Sequence, residues 1–189
     1  MKVFESDLGC TVEKVNPGWE DPLPYFWTLV ACDTDLTGMR KLIKGREHEI
    51  SPHLLDLVNR EWTGTEFTDA KTVRQMVCNK MWRLMATYDL LITPTLAVTA
   101  FPLFMQGPEI IEGKMVRNSQ WLAFTFICNL TGQPAATIPA GFTKDGLPVG
   151  MQIIGRHLAD RTVLAASGAF EQARPWAHTW PKLLGDLGL

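Results

Sequence analysis

Apolar residues recur at helical spacing in several segments of the chain. The longest such pattern covers residues 68–87 and predicts a helix that packs against a core, not a cofactor site. Its apolar face carries Val73, Met76, Val77, Met81, Leu84, Met85 and Tyr88. Asp21–Pro22 and Ser51–Pro52 are typical helix starts, so we expect a helix after each pair. Asp160 is expected to cap a last helix that runs to about Ala173.

Short β-rich runs lie between the predicted helices. Residues 89–92 are predicted to form a buried strand that stops at Pro94. Residues 136–139 and 149–154 are predicted to pair as a hairpin, because Asp145–Gly146 is a turn dipeptide. Strands separated by helices, together with one hairpin, indicate an α/β fold with a mixed β-sheet flanked by helices.

A long connection follows the first predicted strand. It has about 25 residues, and a loop of that length in a compact domain is often functional. Residues 120–130 are then predicted to form one helix, which Gly132 and Pro134 end. Gly168 lies inside the last helix, where glycine costs about 1 kcal/mol relative to alanine. We therefore expect another segment to pack closely against Gly168.

Composition narrows the class of protein. The 189 residues contain no repeat or linker-like stretch, so we expect a single domain over residues 1–189. The formal net charge of −2 gives no electrostatic reason to expect nucleic acid or an anionic membrane as a partner. The apolar stretches are too short to cross a bilayer, and acidic residues follow the first four positions at once. We therefore expect a cytoplasmic protein.

The chain offers few metal-binding or nucleophilic groups. Its four cysteines form no Cys-x-x-Cys pair, which predicts reduced thiols and no metal site. His48 and His53 lie on different helical faces on either side of a Ser-Pro break. No phosphate loop or dinucleotide fingerprint occurs, so no cofactor is predicted. Gly-x-Ser-x-Gly is also absent, and only Ser119, near the long loop, and His157, after a predicted strand, could form a serine-histidine pair.

Two segments point to a known family. Residues 129–142 read Asn-Leu-Thr-Gly-Gln-Pro-Ala-Ala-Thr-Ile-Pro-Ala-Gly-Phe, and residues 145–156 read Asp-Gly-Leu-Pro-Val-Gly-Met-Gln-Ile-Ile-Gly-Arg. Together they resemble the C-terminal block of the amidase-signature hydrolases, and residues 88–95 and 169–176 extend the resemblance. Glycines and prolines in these segments specify backbone shape. Gly150 and Gly155, for example, bracket a strand where side chains would crowd a neighbour.

The resemblance implies a partial amidase-signature fold, that is, the C-terminal portion of an amidase. In that family two serines and a lysine hydrolyse the amide, and all three precede the region that this chain resembles. The chain contains no Gly-Gly-Ser-Ser-Gly type segment, so no catalytic residue can be assigned to it. We therefore expect the chain alone to be inactive and the Ser-Ser-Lys chemistry to come from a missing N-terminal part.

The resemblance also implies a place for the substrate. In the family, the loop after the 89–92 strand and the helix before Asn129 face the bound substrate, which makes Thr95, Trp121 and Thr125 the candidate substrate-binding residues. Trp121 could instead be a core residue. Glutaminase subunits of transfer-RNA amidotransferases usually carry Asp seven residues before the Asn, where this chain has Leu122. That difference favours a small-molecule amide with an apolar or aryl group over glutamine.

Two other functions stay open from the sequence: a non-catalytic remnant or interaction domain, and a self-contained serine hydrolase that uses Ser119 and His157. A partial fold also predicts bare apolar faces. Met76, Met81, Trp82 and Met85 would need partners, and we therefore expect a homo-oligomer as well as contact with the missing part.

Overall fold

The computed structural model describes residues 1–18, 20–117 and 119–179. Six α-helices and five strands lie in these ranges. The helices are α1 (Leu23–Cys32), α2 (Leu36–Ile43), α3 (Pro52–Asn59), α4 (Gly64–Thr87), α5 (Phe126–Thr131) and α6 (Asp160–Ala173). The strands are β1 (Leu90–Pro94), β2 (Ile110–Ile111), β3 (Lys114–Met115), β4 (Ala135–Phe142) and β5 (Pro148–Gly155).

Polar side chains fix the starts of the helices. Asp21 Oδ1 accepts a hydrogen bond from the Leu23 amide at 3.0 Å, which places the start of α1 where the sequence predicts it. Thr63 and Glu66 form a reciprocal capping box at the start of α4. The predicted long helix is confirmed and begins slightly earlier than the apolar pattern. Asp160 is the first residue of α6, whereas Ala159 occupies the capping position, so the predicted cap is wrong.

The main sheet has the order β1-β5-β4. The predicted hairpin is confirmed: β4 and β5 pair antiparallel, with Ala136 opposite Ile153, and Gly146 adopts a φ of 81° in the turn. β5 also pairs antiparallel with β1, with Ile92 opposite Ile153. The predicted combination of a sheet with flanking helices is therefore confirmed. The expected mixture of parallel and antiparallel pairs does not occur in this sheet, because β5 lies between the two strands that run in the same direction.

Both faces of the sheet are covered. Ile153 and Ile154 are adjacent in β5, so they point to opposite faces, and both are almost fully buried. Ile154 packs with α1, α4 and α5, in a cluster that includes Met81 and Met85. Ile153 packs with α6 and the helical turn Val3–Asp7. A third cluster joins α1, α2 and α3 and lies apart from the sheet.

Three expectations about local packing are tested by these contacts. Met81 and Met85 are buried within the chain's own core, whereas Met76 and Trp82 are exposed. A Cβ at Gly155 would lie 2.6 Å from Val163 Cγ2, and one at Gly150 would lie 2.7 Å from Thr95 Oγ1, so the predicted crowding is confirmed at both. The expectation for Gly168 is wrong. A Cβ there would meet nothing within 4 Å, because that side of α6 has no neighbour in the described part of the chain.

Candidate functional site

Thr95 directly follows β1 and is held against the centre of the sheet. Its amide donates to the Gly150 carbonyl at 3.0 Å, which continues the pairing with β5 by one residue. Its hydroxyl lies 3.5 Å from the Thr137 hydroxyl on β4. Gly150 has to lack a side chain here because the Thr95 hydroxyl occupies the space of a Cβ.

Trp121 lies in the turn of 3-10 helix Gln120–Leu122. Its carbonyl accepts a hydrogen bond from the Ala97 amide at 3.0 Å, and its indole N–H donates to the Gln106 carbonyl at 3.0 Å. Its ring meets the Phe101 ring edge-on, with the centroids 5.2 Å apart and the planes at 81°. The side chain is half-buried, which leaves part of the ring accessible.

Thr125 immediately precedes α5 and uses its hydroxyl locally. The hydroxyl donates to the Leu122 carbonyl at 2.9 Å. Residues 120–130 are therefore not one helix, as the sequence predicts, but a turn of 3-10 helix, a bend and α5. At this bend the Phe124 carbonyl accepts a hydrogen bond from Gln152 Nε2 on β5 at 3.0 Å.

Gln152 is a site residue that the sequence analysis missed. It is only 4% exposed, and its Nε2 also donates to the Thr93 hydroxyl at 3.1 Å. One buried amide thus joins β1, β5 and the segment before α5. The available signal was a single polar residue within the otherwise apolar run 151–154, which indicates a buried side chain with specific partners.

These bonds bring the end of β1 and the 121–125 segment together. Ala97 is bonded to Trp121, and Gln152 joins Thr93 to Phe124, so Thr95, Trp121 and Thr125 all belong to one junction. The substrate role of those three residues stays a prediction.

A concavity of about 430 Å³ opens at this junction, a size within the range of small-molecule sites. Ala97 and Ala123 line it, whereas the three predicted substrate residues, Thr95, Trp121 and Thr125, are near in sequence but do not line it. Asp21, Glu112 and Lys114 contribute its charged groups, and Asp21 Oδ2 accepts from Gln120 Nε2 at 2.9 Å. Its apolar lining is completed by Pro22, Ile111, Val116, Phe126 and Ile127.

The long loop contains a small hairpin that forms one side of this concavity. β2 and β3 pair antiparallel, with Ile110 opposite Met115. Glu112 and Gly113 connect them with φ of 49° and 75°, a turn with two left-handed residues. The part of the loop from Phe101 to Gln106 has no regular secondary structure.

Ser119 and His157 do not form a catalytic pair. Ser119 adopts a left-handed φ of 71° at the start of the 3-10 turn, and its carbonyl accepts from the Leu122 amide. His157 Nδ1 lies 3.0 Å from the Gly132 carbonyl. Among the hydrogen bonds of the described residues, none joins the Ser119 and His157 side chains.

In the part of the chain that the structure describes, the thiols and acidic groups form no reactive cluster. All four cysteines are unpaired, and burial raises the pKa of the Cys128 thiol to about 11, which keeps it protonated at neutral pH. Within the described ranges, His, Cys, Asp and Glu form no group of three or more that could hold a metal ion. No helix among the described residues is long and apolar enough to cross a membrane.

Comparison with known proteins agrees with this geometry. The family model described as Amidase matches residues 33–164, which is more than half of the chain. An acylamidase from Rhodococcus erythropolis is 34% identical over 96% of this chain, and the match covers 39% of that protein.

Two solved structures have the same fold. A bacterial aryl acylamidase of the amidase-signature enzymes matches with a TM-score of 0.81 and 30% identity, covering 94% of this chain and 39% of that one. A 6-aminohexanoate cyclic dimer hydrolase matches with a TM-score of 0.76 and 28% identity, covering 95% of this chain and 41% of that one. The chain thus spans about two fifths of the length of these relatives, and it belongs to the amidase family.

Proposed function

We propose that this chain forms one wall of the substrate cleft of an amidase, an enzyme that hydrolyses the C–N bond of a carboxylic amide. The observation that carries the proposal is the concavity at the end of β1, where Ala97 and Ala123 meet the hairpin β2–β3. The sequence contains no Gly/Ser-rich catalytic segment, so this wall binds and orients the amide but does not attack it.

The reaction divides between two parts of the enzyme. In the family mechanism a lysine, neutral in its buried site, relays protons while a serine attacks the amide carbonyl, and donors from a glycine-rich loop stabilise the oxyanion. Those groups would come from a part of the enzyme outside this sequence. Ala97 and Ala123 contribute the opposite wall. Thr95, Trp121 and Thr125 lie beside this wall and support the segments that form it.

The substrate that fits this wall is an amide with an uncharged, apolar or aryl group. The lining is mostly apolar, with Phe126 and Ile127 among its residues. Leu122 occupies the position where glutaminase subunits usually carry Asp, so the carboxylate that would favour glutamine as the substrate is absent at this position. The relatives named for acylamidase and aryl acylamidase activity support the same class.

Three further features belong to this proposal. Residues 1–189 form a single domain, part of a larger amidase-signature core. The enzyme is cytoplasmic. The apolar surface that the chain exposes is covered by the catalytic part of the enzyme or by a second copy in a homo-oligomer.

Acetanilide, a small aryl amide, tests the proposal on the purified chain. We expect saturation-transfer NMR to detect binding of acetanilide but not of glutamine, and chromatography to detect no aniline above the buffer background. Ala123→Leu fills the concavity and should abolish the transfer, whereas Ala86→Leu, at an exposed position of α4, should leave it intact.

The outcomes separate the alternatives. A folded chain that gives no transfer from acetanilide would support a non-catalytic remnant or an interaction domain. Release of aniline that disappears in Ser119→Ala would support a self-contained serine hydrolase.

A further inference from the structure

We infer that Trp121 is a positioning residue: it closes the loop 97–106 and so fixes the wall of the concavity against which the apolar group of the amide lies. The role of that wall rests on the proposed function, but the closure of the loop does not. Trp121 is the residue that holds both ends of this segment, one through its backbone and the other through its side chain.

The two ends of the loop are joined through Trp121. At the start, the Ala97 amide donates to the Trp121 carbonyl at 3.0 Å. At the end, the Trp121 indole N–H donates to the Gln106 carbonyl at 3.0 Å. A loop whose ends meet in this way is an Ω-type loop, and such loops are normally held together by their own side chains.

This loop has little internal packing of its own. Leu103 is 83% exposed, and Phe104 is fully exposed with a left-handed φ of 68°. The side chain within the loop that packs on the anchor is Phe101, whose ring meets Trp121 edge-on at 5.2 Å. The loop conformation therefore depends on Trp121 more than on contacts among the loop residues.

Gly107 completes the anchor. A Cβ at this position would lie 2.5 Å from Trp121 Cδ1 and 2.6 Å from Nε1, so the indole rests directly on the glycine backbone. Real Cβ atoms essentially never approach so closely, and either the ring or the backbone would have to move. Glycine at 107 is also favoured by its own backbone, because its φ of 156° is one that other residues rarely adopt.

The anchored segment meets the wall of the concavity at Ala97. Ala97 lines it from the loop, and Gln120 and Ala123 line it from either side of Trp121. The Ala97–Trp121 hydrogen bond sets the separation of these two sides. Loss of the indole would remove one contact that holds the loop end at Gln106 and so loosen the loop beside Ala97, although the backbone bond of Ala97 would remain and Trp121 itself need not touch the amide.

Limited proteolysis with chymotrypsin, which cleaves after Leu103 and Phe104, measures the closure of the loop in the purified chain. We expect Trp121→Ala to raise the cleavage rate about tenfold, equivalent to about 1.4 kcal/mol in the opening equilibrium. Trp121→Phe keeps a ring but loses the N–H donor and should give an intermediate rate. Trp82→Ala, which removes an exposed tryptophan from α4, is the control and should leave the rate unchanged.

A double-mutant cycle with Phe101 distinguishes positioning from general destabilisation. Phe101→Ala should open the loop when Trp121 is present but add little when Trp121→Ala has already removed the ring that Phe101 contacts. Thermal unfolding of each variant, measured in parallel, shows whether the global stability has changed. Independent, additive effects of the two substitutions, or a cleavage rate within about twofold of the original in Trp121→Ala, would overturn the inference.

Binding of acetanilide to the same variants connects the loop to the site. Trp121→Ala should reduce the saturation transfer, because the wall at Ala97 is then ordered in a smaller fraction of molecules. Equal transfer by the unsubstituted chain and Trp121→Ala would show that the anchor does not position the wall. If the cycle shows coupling but acetanilide binds none of the variants, the loop anchor stands and the proposed function fails.

Discussion

Glycine is required at some positions of this chain by neighbouring atoms, and Gly155 is the clearest case. It ends β5, and a Cβ there would lie 2.6 Å from Val163 Cγ2 and 3.5 Å from the Ala159 carbonyl oxygen. α6 therefore packs directly on the strand. We expect Gly155→Ala to lower the free energy of unfolding by roughly 1–3 kcal/mol, as overpacking of a core does, measured by urea denaturation.

Gly168→Ala is the matched control for that substitution. Gly168 lies within α6, and an added Cβ would meet nothing within 4 Å. Alanine is favoured over glycine in a helix interior by roughly 0.5–1 kcal/mol, so this variant should be more stable than the original chain. A loss of stability at Gly168 as large as that at Gly155 would contradict the packing described for α6.

The capping box at the start of α4 makes the stability of that helix depend on pH. The pKa of the Glu66 carboxyl is held below its usual range, first by hydrogen bonds from the Thr63 amide and hydroxyl and then by the charge of Arg60. A lowered pKa in the folded state means that the folded chain binds this proton less readily than the unfolded chain. The stabilisation is therefore complete above the pKa of an unfolded glutamate and is lost as the pH falls through the folded value.

Glu66→Gln isolates the charge, because glutamine keeps an acceptor for the Thr63 amide. We expect this variant to melt at a lower temperature than the original chain at pH 7, and the difference to shrink as the pH falls through the lowered pKa of the folded Glu66 carboxyl. Glu61→Gln, an exposed glutamate just before the box, should give no such pH dependence. A melting-temperature difference that stays constant from pH 7 to pH 3 would show that the charge plays no part.

Elements specified by neighbouring residues could be predicted from the sequence. The apolar stripe and start signals predict α4 and α1, and Asp145–Gly146 predicts the β4–β5 hairpin. The hairpin β2–β3 could not be predicted in this way. Its turn is Glu112–Gly113, and glutamate rarely adopts a left-handed φ, so no turn dipeptide indicates it.

Contacts between distant segments account for the rest. At the break in the 120–130 helix, the Gln152 amide donates to the Phe124 carbonyl across 28 positions of the sequence. The family resemblance indicates Thr95, Trp121 and Thr125, but it gives no reason to expect that Gly107 supports the Trp121 ring. Local patterns carry no information about either contact, because each depends on the folded arrangement of β1, β5 and the loop.

The surface of the molecule predicts association. Large apolar side chains are exposed on several elements, in particular Leu42, Met76, Trp82, Leu103, Phe104, Ile110, Met115, Leu158 and Leu164. An exposed apolar area of this kind favours burial against another copy. We expect sedimentation velocity to show oligomers at micromolar concentration, and the double variant Leu103→Ser, Phe104→Ser to shift the distribution toward monomer.

Lys114→Ser, an exposed polar change near the same loop, serves as the control and should leave the distribution as it was. A chain that sediments as a monomer and does not bind a hydrophobic dye would rule out association through these side chains.

The central position of β5 has a consequence for how the chain is made. β1 and β4 each pair with β5 and not with each other, yet β5 is the last of the three strands to be synthesised. A ribosome adds roughly 5–20 residues per second. Several seconds therefore pass between the synthesis of β1 and α4 and the synthesis of β5. During translation these surfaces are open to chaperones and to other nascent chains. Release of β5 from the exit tunnel, not completion of the helices, is the event that lets the sheet form.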